Sequence, residues 1–209
     1  MEFVIVLVVY GILFLGELGD KTQLIVFNIS LEHEKSYKVG IGASLGFAAV
    51  VSLGVVFGTL ITNIIPLSLI SLISGILFIL IGLLDARDLK KLYYEHQKLK
   101  KEETINDKNP AEMSSKLSKL RDNPYLAGFG FIFLMELGDK SQILTISLAS
   151  MYNLPIEVWL GSFLALSSLA WMGVFAGTLI TKKVPKFYLK ILSVSIFIVI
   201  GIIVIIASF

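Results

Sequence analysis

Two long apolar runs of this 209-residue chain are interrupted by the same polar heptapeptide, Glu17-Leu18-Gly19-Asp20-Lys21-Thr22-Gln23 and Glu136-Leu137-Gly138-Asp139-Lys140-Ser141-Gln142. Six of the seven positions are identical, and the seventh exchanges one hydroxyl side chain for another. An ionised group at bilayer depth costs roughly 2.5–3.5 kcal/mol on insertion scales. Two matched sets of three such groups call for a function, and their chemistry points to moving a cation across a membrane.

The composition agrees with a membrane setting. The chain is 56% hydrophobic and 16% charged, with a mean hydropathy of +0.84, which is too apolar for an ordinary soluble domain. It contains no cysteine, so disulfides and thiolate metal sites are excluded. The opening Met1-Glu2-Phe3 has no basic region or small-residue cleavage site after it, and reads as a retained first span. A span needs about 20 apolar residues. Six segments qualify, at 3–31, 39–62, 64–84, 125–154, 158–181 and 187–209.

The basic residues set the orientation. Lys35 and Lys38 lie between spans one and two, and Lys182, Lys183, Lys186 and Lys190 lie between or at the edges of five and six. Ten more crowd residues 85–124, from Arg87 to Arg121. The other flanks have none, so both termini are expected outside and the central linker in the cytoplasm. Residues 85–103 lack glycine and proline and are expected to extend span three as a helix, with a break at 106–110. The mixed charges of the linker read as a solvated connector.

Glu17 and Glu136 are 119 positions apart, and the same offset aligns Gly42 with Gly161, Gly54 with Gly173, Pro66 with Pro185, Ser74 with Ser193 and Gly82 with Gly201. Gly58-Thr59-Leu60-Ile61-Thr62 likewise meets Gly177-Thr178-Leu179-Ile180-Thr181. The expected fold is an all-α membrane protein of six transmembrane helices, arranged as two inverted-topology three-helix repeats. These occupy 1–84 and 125–209, joined by the linker at 85–124. Three spans per copy is an odd number, so the copies face opposite ways, a common construction in secondary transporters with a midplane substrate site.

On a continuous helix, Glu17, Asp20 and Lys21 fall at i, i+3 and i+4 and share one face, which Gln23 extends. Glu136, Asp139, Lys140 and Gln142 repeat this. Gly19 and Gly138 allow either close helix approach or a local unwinding that frees backbone carbonyls. If the faces meet, four carboxylates and two ammonium groups leave two formal negative charges, which suits one divalent cation. Carboxylate, amide and hydroxyl oxygens are hard ligands for Ca²⁺, Mn²⁺ or Mg²⁺, and neither motif offers His or Cys for Zn²⁺ or Cu⁺. Burial favours the protonated carboxyl while a bound cation favours the ionised one, so metal and proton compete and their movements couple.

Two readings of Lys21 and Lys140 stand. In the preferred one each holds its neighbouring carboxylates in place. In the other each swings in as a surrogate cation when the site is empty. Gly42-xxx-Gly46, Gly54-xxx-Gly58 and Gly173-xxx-Gly177 read as close-packing stripes on spans two and five. Thr59, Thr62, Thr178 and Thr181 line a pathway or bond their own helices, with the sequence favouring neither. Glu32-His33-Glu34 and His96 read as solvated, and Trp159 as an interfacial anchor.

The doubled Glu-x-Gly-Asp-Lys-Thr/Ser signature resembles the Gdt-one family of small membrane proteins, which are Ca²⁺/Mn²⁺:H⁺ exchangers. The likeness covers both halves. It implies that Glu17, Asp20, Glu136 and Asp139 bind the cation, with Thr22, Gln23, Ser141 and Gln142 as supporting ligands and Lys21 and Lys140 as charge-balancing groups. Organellar members usually carry an added N-terminal targeting segment, and its lack here points to a prokaryotic cytoplasmic-membrane version. The expected partners are divalent cations, protons and the lipid bilayer, with no resident cofactor and no nucleic acid. The sequence leaves a homo-oligomer, the metal preference and the proton count open.

Three rivals are weaker. A passive divalent-cation channel would lack dependence on an opposing proton gradient. An exporter of organic cations has no aromatic box to support it. An intramembrane aspartyl protease needs two acids sharing a proton, and an adjacent lysine opposes that state.

Overall fold

A computed structural model describes residues 2–99, 123–183 and 186–208 of the chain. Lipid offers backbone groups no hydrogen-bond partner, so apolar segments of this kind satisfy themselves as helices. Eight are present among the described residues: α1 Phe3–Glu17, α2 Lys21–Leu31, α3 Ser36–Thr62, α4 Leu67–Leu99, α5 Pro124–Glu136, α6 Lys140–Tyr152, α7 Pro155–Lys183 and α8 Lys186–Ala207. The linker beyond Leu99, with the break expected at 106–110, lies outside the described residues up to Asn123. So do Pro185 and the side chains of His96, Thr178 and Thr181.

Local chemistry fixes several boundaries. Asn123 starts α5 by accepting the Tyr125 N–H on its side-chain oxygen at 3.0 Å, with Pro124 in the first turn. Asn153 ends α6 in the left-handed region at φ 50°, where asparagine is among the few tolerated residues.

The runs at 3–31 and 125–154 are not single helices, which corrects the expectation of two continuous spans. The first breaks between Glu17 and Lys21, and α1 and α2 meet at a 76° bend. The second breaks between Glu136 and Lys140. Among the described residues four helices are long and apolar enough to cross a membrane, α3, α4, α7 and α8. The bent α1–α2 pair makes a fifth when counted as one broken span, and α5 is a shorter apolar helix.

Helix α4 packs along α8, α3 along α5 and α6, and α7 along α1 and α2. Glycines set how closely they approach. A Cβ on Gly42 of α3 would meet the Tyr125 backbone of α5, and one on Gly161 of α7 would meet the Val6 carbonyl of α1. Gly54 lies against Thr145 and Gln142 of α6, and Gly173 against Gln23 of α2. Gly82 lies against Ile198, and Gly201 against Ile79. Leu13, Phe47, Phe78 and Phe197 are fully buried between the helices. Leu45, Phe57, Ile73, Ile203 and Ile206 point outward, as side chains facing lipid do.

Candidate functional site

The two motifs are two copies of one turn. Leu18 has φ −63° and ψ 120°, Gly19 has φ 84°, and the Asp20 N–H donates to the Glu17 carbonyl at 3.1 Å. Leu137 has φ −68° and ψ 108°, Gly138 has φ 86°, and the Asp139 N–H donates to the Glu136 carbonyl at 3.2 Å. This is type II turn geometry, which demands a positive φ at its third residue and so selects glycine there. The fourth residue is the aspartate, whose side chain accepts the next backbone N–H at 2.7 Å in both copies and starts the following helix.

The shared helix face drawn from i, i+3 and i+4 spacing is therefore corrected. Each glutamate closes one helix and each aspartate opens the next. Of the two roles left open for Gly19 and Gly138, the local unwinding is the one observed.

The turns bring part of the expected set together. Glu17, Asp20, Thr22, Gln23 and Glu136 line a cavity of about 10 Å³, closed on its apolar side by Phe47 and by Leu166, Leu169 and Ala170 of α7. Glu17 and Glu136 are buried, at 5% and 2% exposure. The Thr22 hydroxyl donates to Glu136 Oε1 at 2.7 Å, tying the first motif to the second. The Ser141 hydroxyl donates to the other oxygen, Oε2, of the same carboxylate. Glu17 Oε1 is buried without a hydrogen-bond partner.

The glutamines act on the turns themselves. Gln23 donates its amide to the Glu17 carbonyl at 3.2 Å, and the Gln142 side-chain oxygen accepts the Gly138 N–H at 2.6 Å. Both satisfy backbone groups that the helix breaks expose.

Lys140 crosses to the opposite motif. Its Nζ lies 3.6 Å from Glu17 Oε2 and 3.5 Å from Asp20 Oδ2, and donates to the Gly16 carbonyl at 3.2 Å. The preferred sequence reading, in which each lysine holds the carboxylates of its own motif, is corrected for Lys140. Lys21 and Asp139 are exposed and stand outside the cavity. Four carboxylates and two ammonium groups thus do not converge. Among the described residues, no group of three or more Asp, Glu, His or Cys side chains is arranged to hold a metal ion. The set that does meet is three carboxylates and one ammonium, and its formal sum is still two negative charges.

Two charged residues were missed at the sequence level. Asp85 Oδ2 lies 3.6 Å from Lys140 Nζ, and Asp85 Oδ1 is 2.6 Å from Lys190 Nζ. Asp85 reads as the first residue of a polar linker and Lys190 as one of several flanking cations, and nothing local marks them as partners. Thr59 and Thr62 bond backbone carbonyls of their own helix, Val55 at 2.8 Å and Thr59 at 2.6 Å.

A family model described as "Divalent cation/proton antiporter GDT1" matches residues 5–91 and 124–209. A GDT1-like protein of Synechocystis sp. is 27% identical over 178 residues, covering 82% of each chain. A GDT1-like protein of Schizosaccharomyces pombe is 22% identical over 227 residues, covering 92% of this chain and 86% of its own. No solved structure matches the chain. The chain belongs to the GDT1 family of divalent cation/proton antiporters, a family of multi-pass membrane transporters and not of enzymes.

Proposed function

We propose that this chain exchanges a divalent cation, Mn²⁺ or Ca²⁺, for protons at the cavity between its two Glu-Leu-Gly-Asp turns. The observation that carries the reading is the meeting of Glu17, Asp20 and Glu136, from opposite halves of the chain, around one small cavity. Their oxygens, with the Thr22 hydroxyl, are hard donors of the kind these cations take. Two formal negative charges remain after Lys140 is counted, matching the charge of the cargo. Protons titrate the same carboxylates that the metal needs, so release of one favours uptake of the other.

The alternating access that exchange requires follows from two inverted three-helix repeats, making six spans in which α1–α2 and α5–α6 are the broken ones. The packing supports this reading. Gly42 on Tyr125 and Gly161 on Val6 are the same contact after a shift of 119 positions with the halves exchanged. The same holds for Gly54 on Gln142 with Gly173 on Gln23, and for Gly82 on Ile198 with Gly201 on Ile79. Broken helices facing each other at a repeat interface are where secondary transporters bind substrate. The distribution of lysine and arginine supports an orientation with both termini outside and the linker in the cytoplasm.

Proteoliposomes with a trapped pH dye test the exchange. External Mn²⁺ or Ca²⁺ is expected to drive proton release from wild type and not from Asp20→Asn. Metal entry without proton counterflow would make the protein a channel, and unchanged exchange by Asp20→Asn would remove this site.

A further inference from the structure

The Lys140 ammonium has three carboxylates at nearly equal range: Glu17 Oε2 at 3.6 Å and Asp20 Oδ2 at 3.5 Å from the first turn, and Asp85 Oδ2 at 3.6 Å from α4. Asp85 itself is tied down through its second oxygen, Oδ1, by Lys190 at 2.6 Å. Its Oδ2 is buried and has no hydrogen-bond partner, although it faces an ammonium group with three donors. A buried carboxylate oxygen left without a hydrogen bond is unfavourable, and a lysine moved slightly closer would satisfy it.

The pair is also one-sided. At the repeat offset of 119, Asp85 corresponds to Val204 and Lys190 to Ser71, so neither charge has a counterpart in the other half. Holding the two halves together symmetrically is therefore not what this pair does.

We propose that Asp85, anchored by Lys190, is the docking position to which the Lys140 ammonium withdraws when a divalent cation takes Glu17 and Asp20. The inference rests on the reading of the cavity as the cation site. An ammonium between Glu17 and Asp20 and a divalent cation on the same oxygens repel each other, so binding needs somewhere for the lysine to go. Asp85 acts through Lys140 and is a positioning residue.

The sign of two substitutions tests it. Asp85→Asn removes the alternative partner, so Lys140 competes harder for Glu17 and Asp20. Lys190→Gln frees Asp85 to hold Lys140 more firmly, so Lys140 competes less. Transport of Mn²⁺ into proteoliposomes by the full chain should show a KM raised roughly fivefold for the first and lowered by a similar factor for the second, the scale of one partly screened ion pair. Asp85→Glu should stay close to wild type, and a Lys140→Gln background should erase both shifts. If the pair only stabilises the fold, both substitutions move KM the same way or leave it alone, and either result overturns the proposal. Should Asp85→Asn fail to yield folded protein, Lys190→Gln still decides, because a raised or unchanged KM contradicts the docking role. Asp20→Asn runs alongside. Its loss of transport with the wrong signs above defeats only the docking role, whereas wild-type transport by Asp20→Asn defeats the site and the docking role together.

Discussion

The Thr22 hydroxyl donates to Oε1 of Glu136 at 2.7 Å, a bond that spans 114 positions of chain and joins the two motifs directly. With Ser141 on the other oxygen, it holds a buried carboxylate in place through hydroxyl donors from both halves. A hydrogen bond to a charged group is worth about 1.5–3 kcal/mol. Thr22→Val is therefore expected to raise the KM for Mn²⁺ roughly tenfold or more in proteoliposome transport. Thr22→Ser, which keeps the donor, should stay within a factor of about two.

The two turn glycines have the same backbone but different surroundings. Gly138 has φ 86° with nothing within 4 Å of an added Cβ, whereas a Cβ on Gly19, at φ 84°, would strike the Leu189 side chain. Alanine at position 138 should cost about 1–2 kcal/mol, the strain of the left-handed region alone. Alanine at position 19 should cost measurably more, and Leu189→Ala combined with it should narrow the gap. Thermal melting of the detergent-solubilised protein reads both, and equal losses at the two positions would count against the Leu189 contact.

The chain contains no cysteine, so single cysteines report topology without background. The proposed inverted repeat would put the turn between α2 and α3 in the cytoplasm and the end of α8 outside. A cysteine at Ser208 is expected to react with a membrane-impermeant maleimide on intact cells, and one at Glu34 only after the membrane is opened. Labelling of both from outside would mean that the first half does not cross as proposed.

Much of this architecture is legible in the amino-acid order, because lipid leaves apolar segments little choice but helix and the duplicated heptapeptide marks where the halves correspond. The breaks were harder to see. Residues 3–31 look like one span because only three charges interrupt them, and helical spacing then places Glu17 and Asp20 on one face. The competing signal was present in the turn chemistry: glycine at the third position of a type II turn and aspartate at the fourth as a helix cap. The crossing of Lys140 to Glu17 and Asp20, and the role of Asp85 and Lys190, were not legible. Those contacts depend on how α4, α6 and α8 pack around the first turn, and no local pattern encodes that.

Counting Mn²⁺ bound per chain is the most direct measurement of whether the two halves build one site. Equilibrium titration of purified protein, followed by the paramagnetic resonance signal of free Mn²⁺, should give one ion per chain for wild type. Glu17→Gln and Glu136→Gln should each abolish that binding, because each removes a wall of the same cavity. Two ions per wild-type chain, or one ion still held when either glutamate is replaced, would mean that each motif binds alone and that the shared cavity is not the cation site.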